Sequence, residues 1–275
     1  LKKNSSININ IVLIILFILS ISSVYPQNKE SNLFKIIGND FNTSFRDGIS
    51  LYTSPFRFSG SDWLKTGGVI IAGSALMNFD KDVRKEFSKG HTNAKDKLAD
   101  IGNGYGNAFV PVILGGGIYS YGLFFKDDYV RETGRMVIEA VVFAGIFTDF
   151  SKVIIGRSRP YTERGPYFYK MFSFNSDFLS LPSGHSTVAF AASTVLANRI
   201  KNIYASIGLY SLSALTAVSR MYSDDHWSSD VLLGSAIGYF VGDFISGGIK
   251  LNKSYNKTTL NLYPTPGGIS MRLCF

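Results

Sequence analysis

The chain has 275 residues, of which 45% are apolar, 14% aromatic and only 17% charged. That composition excludes collagen-like, disordered and disulfide-scaffold proteins. A lone cysteine, Cys274, excludes an intrachain disulfide and a Cys-rich metal site. A formal charge of +8 and a pI near 9.4 favour anionic partners. A mean hydropathy of only +0.12 requires sizeable polar loops between any membrane segments.

Lys2 and Lys3 precede an uncharged run from Asn4 to Gln27, apolar at its heart from Ile9 to Leu19 and closed by Ser20, Ser22 and Ser23. This order of charge, apolar stretch and small residues is that of a secretory signal, so residues 1–27 are expected to be a signal peptide. An uncleaved anchor helix is the alternative. Residues 28–104 read as a polar and aromatic N-terminal extension. It has turn signals at Asp47-Gly48, Ser54-Pro55 and Ser59-Gly60, a short uncharged run from Gly67 to Phe79, and a charged, solvated helix or loop over 80–104.

Tyr105 to Phe125 carries no charge over 21 residues. As one helix that is about 31 Å, enough to span a bilayer. Further apolar segments run over 136–148, 186–198, 202–219 and 231–242, and the last spaces Gly234, Gly238 and Gly242 four apart, which permits close helix packing. No strand-like alternation precedes the tail, so the fold class is expected to be all-α: a multi-span helical bundle over 105–249. In the tail, 250–275, Ile269, Met271, Leu273 and Phe275 alternate with polar residues after a Pro/Gly turn, which predicts a short β-hairpin.

Three short motifs carry chemistry. Lys152 stands seven residues before Arg159-Pro160, so a helix would place both cations on one face, and Pro160 would end it. Arginine offers a planar fork to two phosphate oxygens and lysine a point charge. Pro182-Ser183-Gly184-His185 opens an apolar run, so backbone N–H groups at a helix start can approach an anion beside the Ser183 hydroxyl and a general-acid imidazole. Ser219-Arg220 is followed by His226 and, one helical turn later, Asp230, whose carboxylate can accept the Nδ1–H of His226. A metal site on Asp224, Asp225, His226 and Asp230 would lack a second histidine at ligand spacing. A serine-hydrolase elbow is missing around Ser183.

The three motifs, in this order and separated by 21 and 33 residues, resemble the signature of the type 2 phosphatidic acid phosphatase (PAP2) and vanadium haloperoxidase superfamily, and in particular its membrane lipid phosphatases. The resemblance covers about residues 105–249. It implies that His226 attacks phosphorus and forms a phosphohistidine, that Asp230 orients it, and that His185 protonates the leaving oxygen and then activates water. It implies further that Lys152, Arg159, Ser183, Gly184 and Arg220 hold the phosphoryl oxygens. The cations fill the place of a metal, so neither metal nor cofactor is expected.

The expected partners are a phosphorylated lipid or other phosphate ester and a membrane, with no nucleic acid or protein partner. Phosphatidic acid, phosphatidylglycerophosphate and isoprenoid pyrophosphate are candidate substrates. A soluble periplasmic acid phosphatase and a vanadate-dependent haloperoxidase are the alternatives within the same superfamily. The turns opposite the motifs, Lys126–Arg135 and Arg199–Lys201, are rich in Lys and Arg, which places the site on the periplasmic face of a bacterial inner membrane. On that count the run Gly67–Phe79 is expected to be interfacial or re-entrant. The loop 161–181, with Tyr161, Tyr167, Phe168, Tyr169, Phe172 and Phe174, suits a headgroup interface.

Overall fold

The structure is a computed structural model, and it describes residues 33–247 together with the backbone of 259–265 and 268–274. The expected signal peptide lies outside the described residues. The described helices, in chain order, are α1 (Leu33–Tyr52), α2 (Gly60–Leu76), α3 (Asp80–Phe87), α4 (Asn93–Tyr105), α5 (Phe109–Phe124), α6 (Asp128–Ile155), α7 (Gly184–Ile200), α8 (Ile203–Tyr222) and α9 (Ser228–Ile245). The tail forms the expected hairpin. Strand β1 (Thr259–Thr265) pairs antiparallel with β2 (Gly268–Cys274), with Leu262 opposite Met271 and Pro264 opposite Ile269. Pro264 therefore sits in the strand.

Several boundaries follow from local chemistry. Ser59 and Asp62 form a reciprocal capping box at the start of α2. Asn202 turns α7 into α8 by accepting from the N–H groups of Tyr204 and Ala205. Gly156, at φ 63°, ends α6 in the left-handed conformation that glycine adopts without penalty.

Helix α7 stands at the centre between α6 and α9. The core joins Val137, Ala140, Val141 and Ala144 of α6 to Val188, Ala191, Ala192 and Val195 of α7 and to Val241 and Ile245 of α9. The glycine row of α9 does what its spacing predicts. A Cβ would lie 2.4 Å from the Ser183 carbonyl oxygen at Gly234, 2.2 Å from that of Thr187 at Gly238 and 2.6 Å from that of Ala191 at Gly242. The two helices touch through their backbones.

Two expectations fail for reasons of packing. The Asp47-Gly48 pair is not a turn but lies inside α1, where Gly48 faces the ring of Phe143 and a Cβ would come within 2.9 Å of it. The uncharged run Tyr105–Phe125 is not one helix. It breaks between α4 and α5, which meet at a bend of 52°. Gly106 is wedged between Thr216 and His185, and Asn107 caps the new helix through the N–H of Phe109. Among the described residues no single helix is both long and apolar enough to cross a membrane, although the bent pair α4–α5 passes that test together. The outer faces nonetheless carry many exposed apolar side chains, including Phe34, Leu64, Phe109, Phe124 and Tyr204.

Candidate active site

Four helix ends converge at one pole of the bundle: the C-termini of α6 and α8 and the N-termini of α7 and α9. Direct bonds tie them together. The Ser183 N–H donates to the Asp230 carbonyl at 2.9 Å, and the N–H groups of Asp225 and His226 both donate to the Arg220 carbonyl. The Arg159 N–H donates to the Asp177 carbonyl and the Ser180 N–H to that of Arg157, which pins the 157–180 loop across the same pole.

Lys152 occupies the last turn of α6, and its ammonium lies 2.9 Å from where a Cβ on Gly184 would stand. Gly184 is thus a true close approach. A side chain there would push the lysine ammonium aside.

Arg159 is not on the Lys152 helix. Gly156 ends α6 three residues earlier, so the loop, not a shared helical face, brings Arg159 to the pocket. There Arg159 donates from Nε to the Ser176 carbonyl and from Nη1 to Asp225 at 3.3 Å. Arg220 donates to the other oxygen of Asp225 at 2.6 Å and to Asn103 at 2.7 Å. Asp225 therefore holds two arginines side by side. The carboxylates Asp224 and Asp225 are committed to arginine partners rather than gathered around a cation position.

Ser183 is the N-cap residue of α7, fully buried and bonded to the Ser186 hydroxyl, and makes no side-chain cap. His185 follows in the first turn. Burial is the first cause that pushes its pKa down to about 3, and the cations of Arg220, His226 (when protonated), Lys152 and Arg159 add to it. All four cations thus act on one imidazole.

His226 and Asp230 do not share a helical turn. His226 precedes Trp227, the N-cap of α9, and Nδ1 lies 3.8 Å from the nearest Asp230 oxygen, beyond hydrogen-bond reach. The reason is that Asp230 is already engaged. Its Oδ2 accepts from Ser180 Oγ at 2.5 Å and from the Trp227 N–H at 3.0 Å, and its Oδ1 from Arg157. His226 is 3% exposed. Burial lowers its pKa to about 4, with Asp230 pulling up and Arg159 and Lys152 pushing further down. His226 Nδ1 and Arg220 Nε are buried and have no hydrogen-bond partner among the described residues. Such orphaned nitrogens are costly, and His226 Nδ1 is turned toward the Asp230 carboxylate.

Motif reading missed Arg157 and Asp80. Both are fully buried, as is Asp230. Arg157 bridges the two carboxylates, reaching Asp80 at 2.7 Å with one nitrogen and Asp230 with the other. Asp80, at the start of α3, also accepts from Ser228 Oγ at 2.6 Å, Ser229 Oγ at 2.6 Å and the Ser229 N–H at 3.0 Å. The N-terminal extension thereby grips the start of α9. Arg157 lay within the first motif but had no visible partner, and Asp80 is separated from it by 77 positions.

Residues 134–251 match the family model of the PAP2 superfamily, beginning later than the 105–249 covered by the motif resemblance and leaving the N-terminal extension outside. The chain is 33% identical over 115 residues to a lipid A 1-phosphatase of Rhizobium johnstonii, which covers 40% of this chain and 45% of that protein. It is 39% identical over 66 residues to a lipid A 1-phosphatase of Porphyromonas gingivalis, covering 23% of this chain and 15% of that protein. The chain thus spans less than half the length of these relatives. Among solved structures, the crystal structure of Aquifex aeolicus LpxE aligns with a TM-score of 0.49 at 19% identity, covering 62% of this chain and 96% of that one.

Proposed function

Taking residues 134–251 as a PAP2 superfamily segment, we propose that this protein hydrolyses a phosphate ester of a membrane lipid through a phosphohistidine. One observation carries the reading: Lys152, Arg159 and Arg220 lie around two imidazoles drawn from separate motifs, His226 buried and His185 half-buried. In this pocket the imidazoles are neutral at neutral pH, because burial and neighbouring cations oppose protonation. A phosphate dianion reverses that balance. Its charge raises the affinity of His185 for a proton, so substrate arrival prepares the general acid.

In the first step His226 Nε2 attacks phosphorus, the bond from phosphorus to the lipid oxygen breaks, and His185 delivers its proton to that oxygen. Lys152, Arg159 and Arg220, with the backbone N–H groups at Gly184 and the Ser183 hydroxyl, take the charge on the equatorial oxygens. Asp230 lies opposite His226 Nδ1 and stabilises the cationic imidazole that forms. In the second step His185 takes a proton from water, the oxygen attacks phosphorus, and the bond to His226 breaks. Inorganic phosphate leaves.

The membrane setting rests on the exposed apolar side chains around the bundle and on the names of the relatives. The spans would be the apolar runs 105–125, 136–148, 186–198, 202–219 and 231–242, with the pole that bears the motifs facing the periplasm. His185 and His226 lie outside those runs. A phosphorylated glycolipid of the lipid A class is the first substrate to try, then phosphatidic acid, phosphatidylglycerophosphate and isoprenoid pyrophosphates.

The test is phosphate release by purified protein in detergent, with and without vanadate. Acid-quenched turnover of labelled substrate should trap an acid-labile, base-stable label on the wild type and none on His226→Ala. Release that vanadate does not inhibit, or a label that survives loss of His226, refutes the proposal.

A further inference from the structure

Beside the catalytic pole lies a second cavity, of about 630 Å³, walled by Lys81, Arg84, Lys85, Arg164, Glu163 and Trp227. We propose that it binds a second phosphate group of the same lipid substrate, so that the preferred substrate carries two. This rests on the phosphatase reading above and adds to it a determinant of substrate choice.

The charge balance of the cavity is the starting point. Four cations line it against one carboxylate. Arg84 is neutralised, with Asp224 at 2.7 Å and Glu163 at 2.6 Å. Lys81, Lys85 and Arg164 form no ion pair with a carboxylate among the described residues. Asp82 and Glu86 flank the two lysines on α3, but Glu86 is paired with Lys89 at 2.6 Å. Arg164 instead lies over the rings of Phe178 and Phe168, at 4.8 and 5.6 Å from their centroids. Its guanidinium is held in place with its charge unspent.

The lysines are placed by the fold. Lys81 and Lys85 are four apart on α3 and share a face, an arrangement of like charges that costs helix stability unless an anion offsets it. The helix cannot turn that face away. Asp80 at its first position is locked by Arg157, Ser228 and Ser229, and Arg84 one turn on is locked by Asp224 and Glu163. The Lys81 stem also runs 3.9 Å from the position of a Cβ on Gly165 across the cavity.

The cavity is close enough to the pocket to take part of the same molecule. Trp227, in its wall, is the residue after the proposed nucleophile, so the two Cα atoms are about 3.8 Å apart. The single turn 224–227 serves both sites. Asp224 faces Arg84 of the cavity, while Asp225 holds Arg159 and Arg220 of the pocket. A head group that places one phosphate at His226 can set a second one against Lys81, Lys85 and Arg164, whose donors suit an oxyanion.

The experiment compares wild type with a Lys81→Ala, Lys85→Ala double variant and with Arg164→Ala. Substrates are a 1,4′-bisphosphorylated disaccharide lipid and its 1-monophosphate, both in neutral detergent micelles. For the bisphosphate the variants should raise KM about tenfold with kcat held, whereas KM for the monophosphate stays within twofold. Equal shifts for both substrates, or no shift for either, overturn the proposal.

A third arm adds phosphatidylglycerol to the micelles. If wild type, but not the variants, then binds the monophosphate more tightly, the occupant is a neighbouring headgroup and the second-phosphate assignment falls. The same substitutions in a His226→Ala background, read as binding of bisphosphorylated micelles, decide the cavity without turnover. Loss of selective binding there supports it even if no lipid is hydrolysed, and unchanged binding refutes it even if one is.

Discussion

The buried Asp80–Arg157–Asp230 bridge gives the sharpest prediction, through Asp80→Asn. Asp80 accepts four hydrogen bonds and is fully buried. An asparagine keeps one acceptor oxygen but turns an NH₂ toward donors, and it leaves Arg157 with a single counter-charge. Breaking a buried pair of this kind costs about 3–5 kcal/mol. In a protein of this size each kcal/mol lowers Tm by roughly 2–4 °C, so a fall of about 10 °C is expected.

Catalysis should suffer separately. With both carboxylates ionised the bridge carries one net negative charge, which a cationic His226 neutralises. Without Asp80 the bridge is neutral. Two charges ~8 Å apart at an effective dielectric constant near 20 interact by about 2 kcal/mol. The kcat should therefore fall about thirtyfold, with KM little changed and the pH optimum moved, because Asp80 touches no substrate. The assay is phosphate release below the melting transition, normalised to folded protein. Asp80→Glu should recover part of kcat. Asp80→Asn combined with Arg157→Met should lower Tm further, because Asp230 is then buried without its arginine. Wild-type kcat in folded Asp80→Asn, or a loss confined to KM, refutes the reasoning.

Other outcomes follow from the same geometry. His226→Ala should abolish turnover, by at least about 10³-fold, while keeping its circular dichroism spectrum, since the His226 ring makes no side-chain hydrogen bond in the core. Gly238→Ala would set a Cβ 2.2 Å from the Thr187 carbonyl oxygen. It should cost about 1–3 kcal/mol by forcing α7 and α9 apart. Gly208→Ala, with nothing within 4 Å, should be neutral or stabilising by up to about 1 kcal/mol in the same melting experiment.

Both site histidines bind protons less readily folded than unfolded. Between pH ~6.5 and ~4 the unfolded chain therefore holds more protons, and stability falls as pH falls, by up to about 1.4 kcal/mol per pH unit per histidine. Above ~6.5 this contribution is complete. Bound vanadate should blunt the acid loss, by favouring protonated imidazoles in the folded state.

Much of the proposed reacting set is legible in the chain because chemistry with a phosphate restricts residue type. Lys152, Arg159, His185, Arg220, His226 and Asp230 can be named from three short strings. Helix packing is equally local in origin: glycines four apart on α9 can serve only a backbone contact, and α7 supplies it. The pairing of the two tail strands follows from alternation after a Pro/Gly-rich stretch.

Tertiary structure decided what no local pattern encodes. Arg159 reaches the pocket from a loop because Gly156 takes a left-handed conformation and stops α6. The uncharged run breaks at Gly106 because Thr216 and His185 occupy the space beside it. His226 stands outside the helix of Asp230, whose oxygens are claimed by Ser180, Trp227 and Arg157. Asp80 joins the site from an extension that shares no motif with it. A hydrogen bond between residues 77 positions apart leaves no periodic trace along the chain. Burial strengthens that bond by removing water from three charged groups at once, and burial exists only after the helices have packed.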